Sequence, residues 1–246
     1  MQEHEVELWT TKLFNQFLAA PLNSFLNAIG KPAADPAHPW ENWITMEILV
    51  VLIIMVVFAL LKSRLSADKP GGLQLTFEAI YQFVAGQAHD AVEHGSKYVP
   101  FFGTLFIFIL FMNLIGVIPG FESPTQTPAV PAALALSVFL YYHAQGFRAL
   151  GPGKYLLHFA GPVWWLAPIM IPIEVISHFA RPLSLTIRLF ANMFAGEKVT
   201  MTFLALTYLL IPSVFMGLHV FVAFLQAFIF MLLAMIYVGG AVAHEH

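Results

Sequence analysis

Ser184, Arg188 and Asn192 stand at four-residue intervals in an otherwise apolar stretch, PLSLTIRLFANMFAGEK, at 182–198. Its apolar residues recur every three to four positions, which predicts a helix, and proline suits the first turn of a helix better than its interior. The reading therefore opens that segment at Pro182. On a helix the three polar residues form one stripe along an apolar rod. Arg188 is the only charge between Arg181 and Glu197. Inside hydrocarbon a mid-helix guanidinium costs about 2.5–3.5 kcal/mol on insertion scales. Such a cation needs a partner, and its own helix offers none. Glu197 is nine residues on, about 13 Å of axial rise, and Glu174 is fourteen back, about 21 Å. The other long apolar segments carry no Asp or Glu near their centres. Arg188 must meet a group on another chain, a substrate or water.

The setting is a membrane. Of the 246 residues 59% are hydrophobic and only 10% charged, with a mean hydropathy of +0.77, whereas soluble domains carry about a quarter charged residues. The chain has no cysteine, which removes disulfides, thiolate metal sites and cysteine nucleophiles. A net charge of −3 with thinly spread Lys and Arg provides no basic surface for nucleic acid. The acidic start, MQEHEVELWT, lacks the features of a secretory signal.

The elements that position Arg188 follow from the apolar runs. Residues 1–40 form an external, Pro-rich lead, in which LWTTKLFNQFLAAPLNSFL is read as a short surface helix. Residues 41–246 form one membrane domain. Its spans are expected at about 44–61, 98–118, 132–147, 173–210 and 214–238. Trp40 and Trp43 stand as an interfacial belt before the first span, and Lys62, Arg64 and Lys69 follow it, which places that end in the cytoplasm and the N-terminus outside. Residues 73–93 carry Glu78, His89, Asp90 and Glu93 and read as an amphipathic helix on the cytoplasmic surface. The loop at 119–131 should be external. Arg148 and Lys154 close the third span on the inside. Gly and Pro break the pattern over 151–172, which reads as a re-entrant or interfacial segment anchored by Trp164 and Trp165. The last two helices should form a long tilted hairpin, and five crossings leave the C-terminus inside. The fold class is thus an all-α integral membrane protein with about five transmembrane helices and one interfacial helix. No internal repeat is visible, which disfavours an inverted-repeat transporter.

Within the long helix the polar residues Glu174, Ser177, His178, Arg181, Ser184, Arg188, Asn192 and Glu197 are mostly three, four or seven apart and so near one face. His219 and Gln226 share a face of the last helix. A hairpin brings the two faces together as an incomplete hydrophilic path with titratable groups, suited to ion or proton movement. Each residue also has a plainer role open to it. Ser184 can bond its own backbone, Asn192 and Gln226 can join helices, Glu174 and Arg181 can pair at an interface, and His219 can be a packing histidine.

RPLSLTIRLFANMFAGE, followed downstream by LQAFIFMLLAMIYV, resembles the a-subunit family of bacterial F-type ATP synthases. FMNLIGVIP and TPAVPAALALSVF extend the resemblance, which covers about 40–246; the lead before residue 40 matches nothing specific. The resemblance implies a membrane stator beside a rotating c-ring, with a b-subunit peripheral stalk, in the bacterial inner membrane. By position, Arg188 matches the arginine that faces the c-subunit carboxylate between two aqueous half-channels. Asn192, Glu197, His219 and Gln226 match polar residues of the outer half-channel, and Ser184 and Glu174 lie near the cytoplasmic exit. Where some relatives have an acidic residue after FMNL, this chain has Ile115 and Gly116, and Asn113 remains a candidate for the same lining. Such a subunit moves protons without catalysing phosphoryl transfer, and the chain lacks a G-x-x-x-x-G-K-[ST] loop. No cofactor or metal is called for. Two alternatives are a stand-alone secondary transporter with Arg188 as anion-binding residue, and a haem protein ligated by His143, His178 or His219.

Overall fold

The computed structural model describes residues 7–33, 35–92, 95–118, 120–153, 155, 164–206 and 210–242. Seven helices organise them: α1 Trp9–Ala28, α2 Asn42–Ser63, α3 Gly72–Ala91, α4 Val99–Ile115, α5 Ala129–Leu150, α6 Ala167–Leu206 and α7 Leu210–Val242. Among the described residues three segments are long and apolar enough to cross a membrane by length and composition: α2, α4 with the short turn before it (Gly95–Ile115), and Ile211–Val242. The best 18-residue window of α2 has a mean hydropathy of 3.0 with 17% of it buried, so this helix presents most of its apolar surface outward. That suits lipid, not water. α5 and α6 fall outside this set because polar residues dilute their apolar runs.

The core lies where α4, α5, α6 and α7 meet. Phe102, Phe106, Ile109 and Met112 from α4 are buried against Val138 and Tyr142 of α5 and Leu185, Leu189 and Met193 of α6. α7 threads among them on a face of Ala223, Ala227, Met231, Ala234, Met235 and Val238, all fully buried. Lipid tails are as apolar as leucine, so close packing through small side chains must hold such helices together. Gly239 shows how close the approach is: a Cβ there would lie 2.6 Å from the Ala91 carbonyl oxygen.

The long helix differs from expectation in three ways. It begins at Ala167, so residues 167–172 belong to a continuous helix and not to a re-entrant segment; most of 151–163, including Lys154, lies outside the described residues. Pro182 does not open the segment but sits inside α6, as Pro172 does. A membrane helix tolerates this because neighbouring side chains and helices re-satisfy the freed backbone groups. Finally, α6 has 40 residues, a rise of about 60 Å. That is twice a hydrocarbon core of about 30 Å, so it must tilt to keep its apolar surface in lipid. α7 starts at Leu210, which puts Pro212 in its first turn, where proline costs little. The surface helix of the lead is longer than a fragment: α1 runs 20 residues, with Pro21 inside it. Glu93 and Pro119 lie outside the described residues.

Candidate functional site

α6 buries Leu185, Leu189 and Met193 at intervals of four, and Arg188 sits one position off that row, at the edge of the packed face. It is half-buried, and Leu183 and Ile187 beside it are 60% and 54% exposed. A guanidinium has five donors. Arg188 uses one weakly, from Nη2 to the exposed Ser184 hydroxyl at 3.5 Å, which is at the limit of a hydrogen bond. Among the described residues no carboxylate comes within ion-pair distance of it. Asn192, a turn further on, is half-buried. Among the described residues the result is a cation without a counter-charge, beside an apolar helix face on which Leu183 and Ile187 stay exposed.

Glu197, nine residues along, is turned about 180° from Arg188 at 100° per residue. It points into the protein, 9% exposed, toward the cleft that His219 of α7, 4% exposed, also lines. Both line a cleft of about 80 Å³ with Gly116, Phe121, Thr200 and Met216. The His219 imidazole lies flat against α6 at Gly196, where an added Cβ would stand 3.5 to 3.7 Å from three ring atoms, an ordinary contact. Glu197 Oε2 and His219 Nε2 are buried without a protein hydrogen-bond partner. Buried polar atoms are almost always satisfied. A cleft of this size exceeds the roughly 10–15 Å³ that one water needs, so both atoms can be served by water. Gln226 lies two turns beyond His219 on the buried face of α7, 7% exposed.

Glu174 belongs to a third group. Its Oε1 lies 3.3 Å from His178 Nδ1 and 3.8 Å from Arg181 Nη2. Arg181 also stands over the Tyr237 ring at 5.2 Å and the Tyr142 ring at 6.0 Å. The His178 and His143 rings stack at 5.3 Å, and His143 Nδ1 is 2.7 Å from the Tyr155 hydroxyl. The stripe foreseen on one face of α6 is therefore divided. Ser184, Arg188 and Asn192 lie along one edge, Glu174 is held by Arg181 and His178, and Glu197 looks the other way with His219. Asn113 is a strut and does not line the cleft. Fully buried, it donates to the Ala223 carbonyl at 3.2 Å and accepts from the Thr125 hydroxyl at 2.7 Å. Sequence reasoning missed the His143–Tyr155 and His143–His178 contacts, because residues 12 and 35 positions apart show no periodic relation. It also passed over the polar side chains of FESPTQT, which it treated only as an external loop.

A family model described as ATP synthase A chain matches residues 44–239. The chain belongs to this family. ATP synthase subunit a of Solibacter usitatus (strain Ellin6076) is 61% identical over 235 residues, covering 95% of this chain and 100% of that protein. The namesake from Koribacter versatilis (strain Ellin345) is 47% identical over 241 residues, 98% of each chain, so this likeness reaches well into the N-terminal lead. That of Helicobacter pylori (strain G27) is 42% identical over 197 residues, 79% of this chain and 87% of the relative. As an ATP synthase a chain, the protein is a multi-pass membrane subunit that carries ions and does not itself catalyse ATP formation. The reading of Arg188 as the anion site of a stand-alone transporter finds no support.

Proposed function

We propose that the chain is the stator through which protons reach and leave a ring of carboxylate-bearing c-subunits, with Arg188 as the fixed charge facing each carboxylate in turn. The observation that carries this is Arg188 itself: among the described residues it has no counter-charge, and the apolar helix face beside it is exposed. A carboxylate from another chain is the group that such a site lacks.

Protons enter from the outer side through the cleft of Glu197 and His219 and pass along Asn192 and Gln226 to a ring carboxylate. Neutral, that carboxylate crosses lipid without the cost of a buried charge. Back at Arg188, the guanidinium favours its ionised form, and the proton leaves toward the cytoplasm past Ser184 and Glu174. The half-turn of α6 between Glu197 and Arg188 supports two separate routes, because entry and ring contact lie on opposite sides of one helix. The same cation opposes direct proton flow between them. Each proton moved across about 100 mV yields about 2.3 kcal/mol, so several are needed per ATP. In this reading the N-terminus lies outside and the C-terminus in the cytoplasm, a b-subunit stalk holds the chain against rotation, and the membrane is the bacterial inner membrane.

The absence of cysteine makes a direct test simple. A single cysteine at Ile187 should form a disulfide with a ring subunit that carries a cysteine beside its carboxylate. A cysteine at Phe102, which is fully buried, should not. If Ile187→Cys gives no cross-link at any neighbouring ring position, the ring does not lie on this face and the reading fails.

A further inference from the structure

The 120–128 loop between α4 and α5 carries Glu122, a carboxyl that the proposed pathway does not use. The loop is pinned from three directions. From α4, the Met112 carbonyl accepts from the Ser123 hydroxyl at 2.9 Å and Asn113 Oδ1 accepts from the Thr125 hydroxyl at 2.7 Å. From the N-terminal side, Asn42 Nδ2 donates to Glu122 Oε2 at 3.2 Å, while Asn42 Oδ1 accepts from the Leu8 backbone N–H, also at 3.2 Å. Trp9 packs edge-on against Phe121 with ring centres 6.0 Å apart, and the Thr11 and Thr45 hydroxyls meet at 2.8 Å. The third neighbour is α6, against which residues 124–126 pack, and Phe121 lines one cleft with Glu197 of that helix.

Glu122 is half-buried, whereas Glu197 is almost wholly enclosed. A proton acceptor that water can reach thus follows a residue of the cleft that holds one it hardly can. Beyond them, Glu197 Oε2 and His219 Nε2 lack protein partners and line the cleft whose wall includes Phe121, the residue before Glu122. Resting on the proton-path reading above, we infer that Glu122 is the outer proton acceptor that hands protons to Glu197, and that the N-terminal helix α1 holds it in place through Leu8 and Asn42. The transfer is a relay. A proton bound by a Glu122 oxygen passes to a Glu197 oxygen, directly or through one water, and Glu122 is recharged from outside. Glu122 also supplies a carboxyl at the outer end of α4, where Ile115 and Gly116 follow FMNL and offer none. Asn42 acts as a positioning residue, since it touches the carboxylate and not the path.

The test is passive proton conduction in membrane vesicles bearing the assembled complex, after release of the soluble catalytic sector, over a range of outside pH. The titratable groups on elements around the loop include Glu7, Lys12, Glu41, Glu47, Glu197, Lys198 and His219, and none of them is altered in Glu122→Gln or Asn42→Ala. Glu122→Gln should lower conduction at least about tenfold, the low end for loss of a proton-transferring group, and most at high outside pH where protons are scarce. Glu122→Asp should restore most of it, and Asn42→Ala should lower it in an assembled complex. Conduction by Glu122→Gln within about twofold of wild type at every outside pH would overturn the inference, since a relay group cannot be lost so cheaply. So would equal losses in Gln and Asp variants with no change in pH profile, because that is the signature of a loop strut. Glu197→Gln, measured beside them, separates the two levels. If it too conducts normally, the proton path does not run here at all.

Discussion

Replacing Gly116 by alanine adds one methyl group and should disable the outer site without touching a polar residue. Gly116 follows α4 in an ordinary helical conformation, so backbone strain is not at issue. Space is. The new Cβ would lie 2.7 Å from Ser123 Cβ, 2.8 Å from Ser123 N and 3.1 Å from Ser123 Cα. Two of those atoms are backbone, so no side-chain rotation relieves the contact, and the loop must move by roughly 1 Å to reach ordinary packing distance. Overpacking of this kind costs about 1–3 kcal/mol. The displaced loop also strains the Ser123–Met112 and Thr125–Asn113 hydrogen bonds, each a net contribution of about 1 kcal/mol. The sum, on the order of 2–4 kcal/mol, should lower the thermal midpoint of the purified complex and its yield. In the fraction that assembles, ATP-driven pumping should fall, because Phe121 and Glu122 travel with the loop. Gly116→Asp, which would copy the acidic residue of some relatives, should be worse rather than beneficial. A Gly116→Ala complex with wild-type yield, melting and pumping would refute the packing argument.

Three further outcomes follow from the same geometry. Gly196→Ala should keep pumping, since its Cβ makes only ordinary contact with the His219 ring, whereas Gly196→Val should displace the imidazole and lose pumping; equal behaviour of the two in a vesicle assay would contradict the flat packing of His219. Arg181→Ala should destabilise the subunit by about 1–2 kcal/mol through loss of its Glu174 pair and its aromatic contacts, while Arg188→Ala should leave melting unchanged and abolish function. Thermal melting of the two complexes side by side checks this. Asn113→Ala should cost about 1–3 kcal/mol by removing two buried hydrogen bonds, to the Ala223 carbonyl and from the Thr125 hydroxyl, read as lost assembly, with pumping per assembled complex largely kept.

What the chain reveals before folding is set by the range of each signal. Apolar runs such as the uninterrupted 48–61 announce a membrane helix by themselves, because hydrocarbon demands no more than length and apolarity. Arg188 announces itself for the same reason: a guanidinium in such a run is costly wherever the rest of the chain lies. Pro182 misled because the rule that proline ends a helix assumes water around the exposed carbonyl, and packed membrane helices re-satisfy it. The 40-residue length of α6 was hidden by the Gly and Pro residues before it. The division of the polar stripe is legible in angle, since nine residues turn Glu197 to the far side of Arg188, but which side meets which neighbour is not. That depends on the loop at 120–128 and on α1, whose contacts through Asn42 and Trp9 join residues 34 to 112 positions apart. Pairings of that range leave no periodic trace in a single sequence.

The most direct test of the central claim is ATP-driven proton pumping in membrane vesicles, comparing wild type with Arg188→Ala in the assembled complex. Pumping should be lost while the complex stays intact and the released catalytic sector hydrolyses ATP normally. Undiminished pumping by the Arg188→Ala complex would contradict the account and leave Arg188 a structural cation.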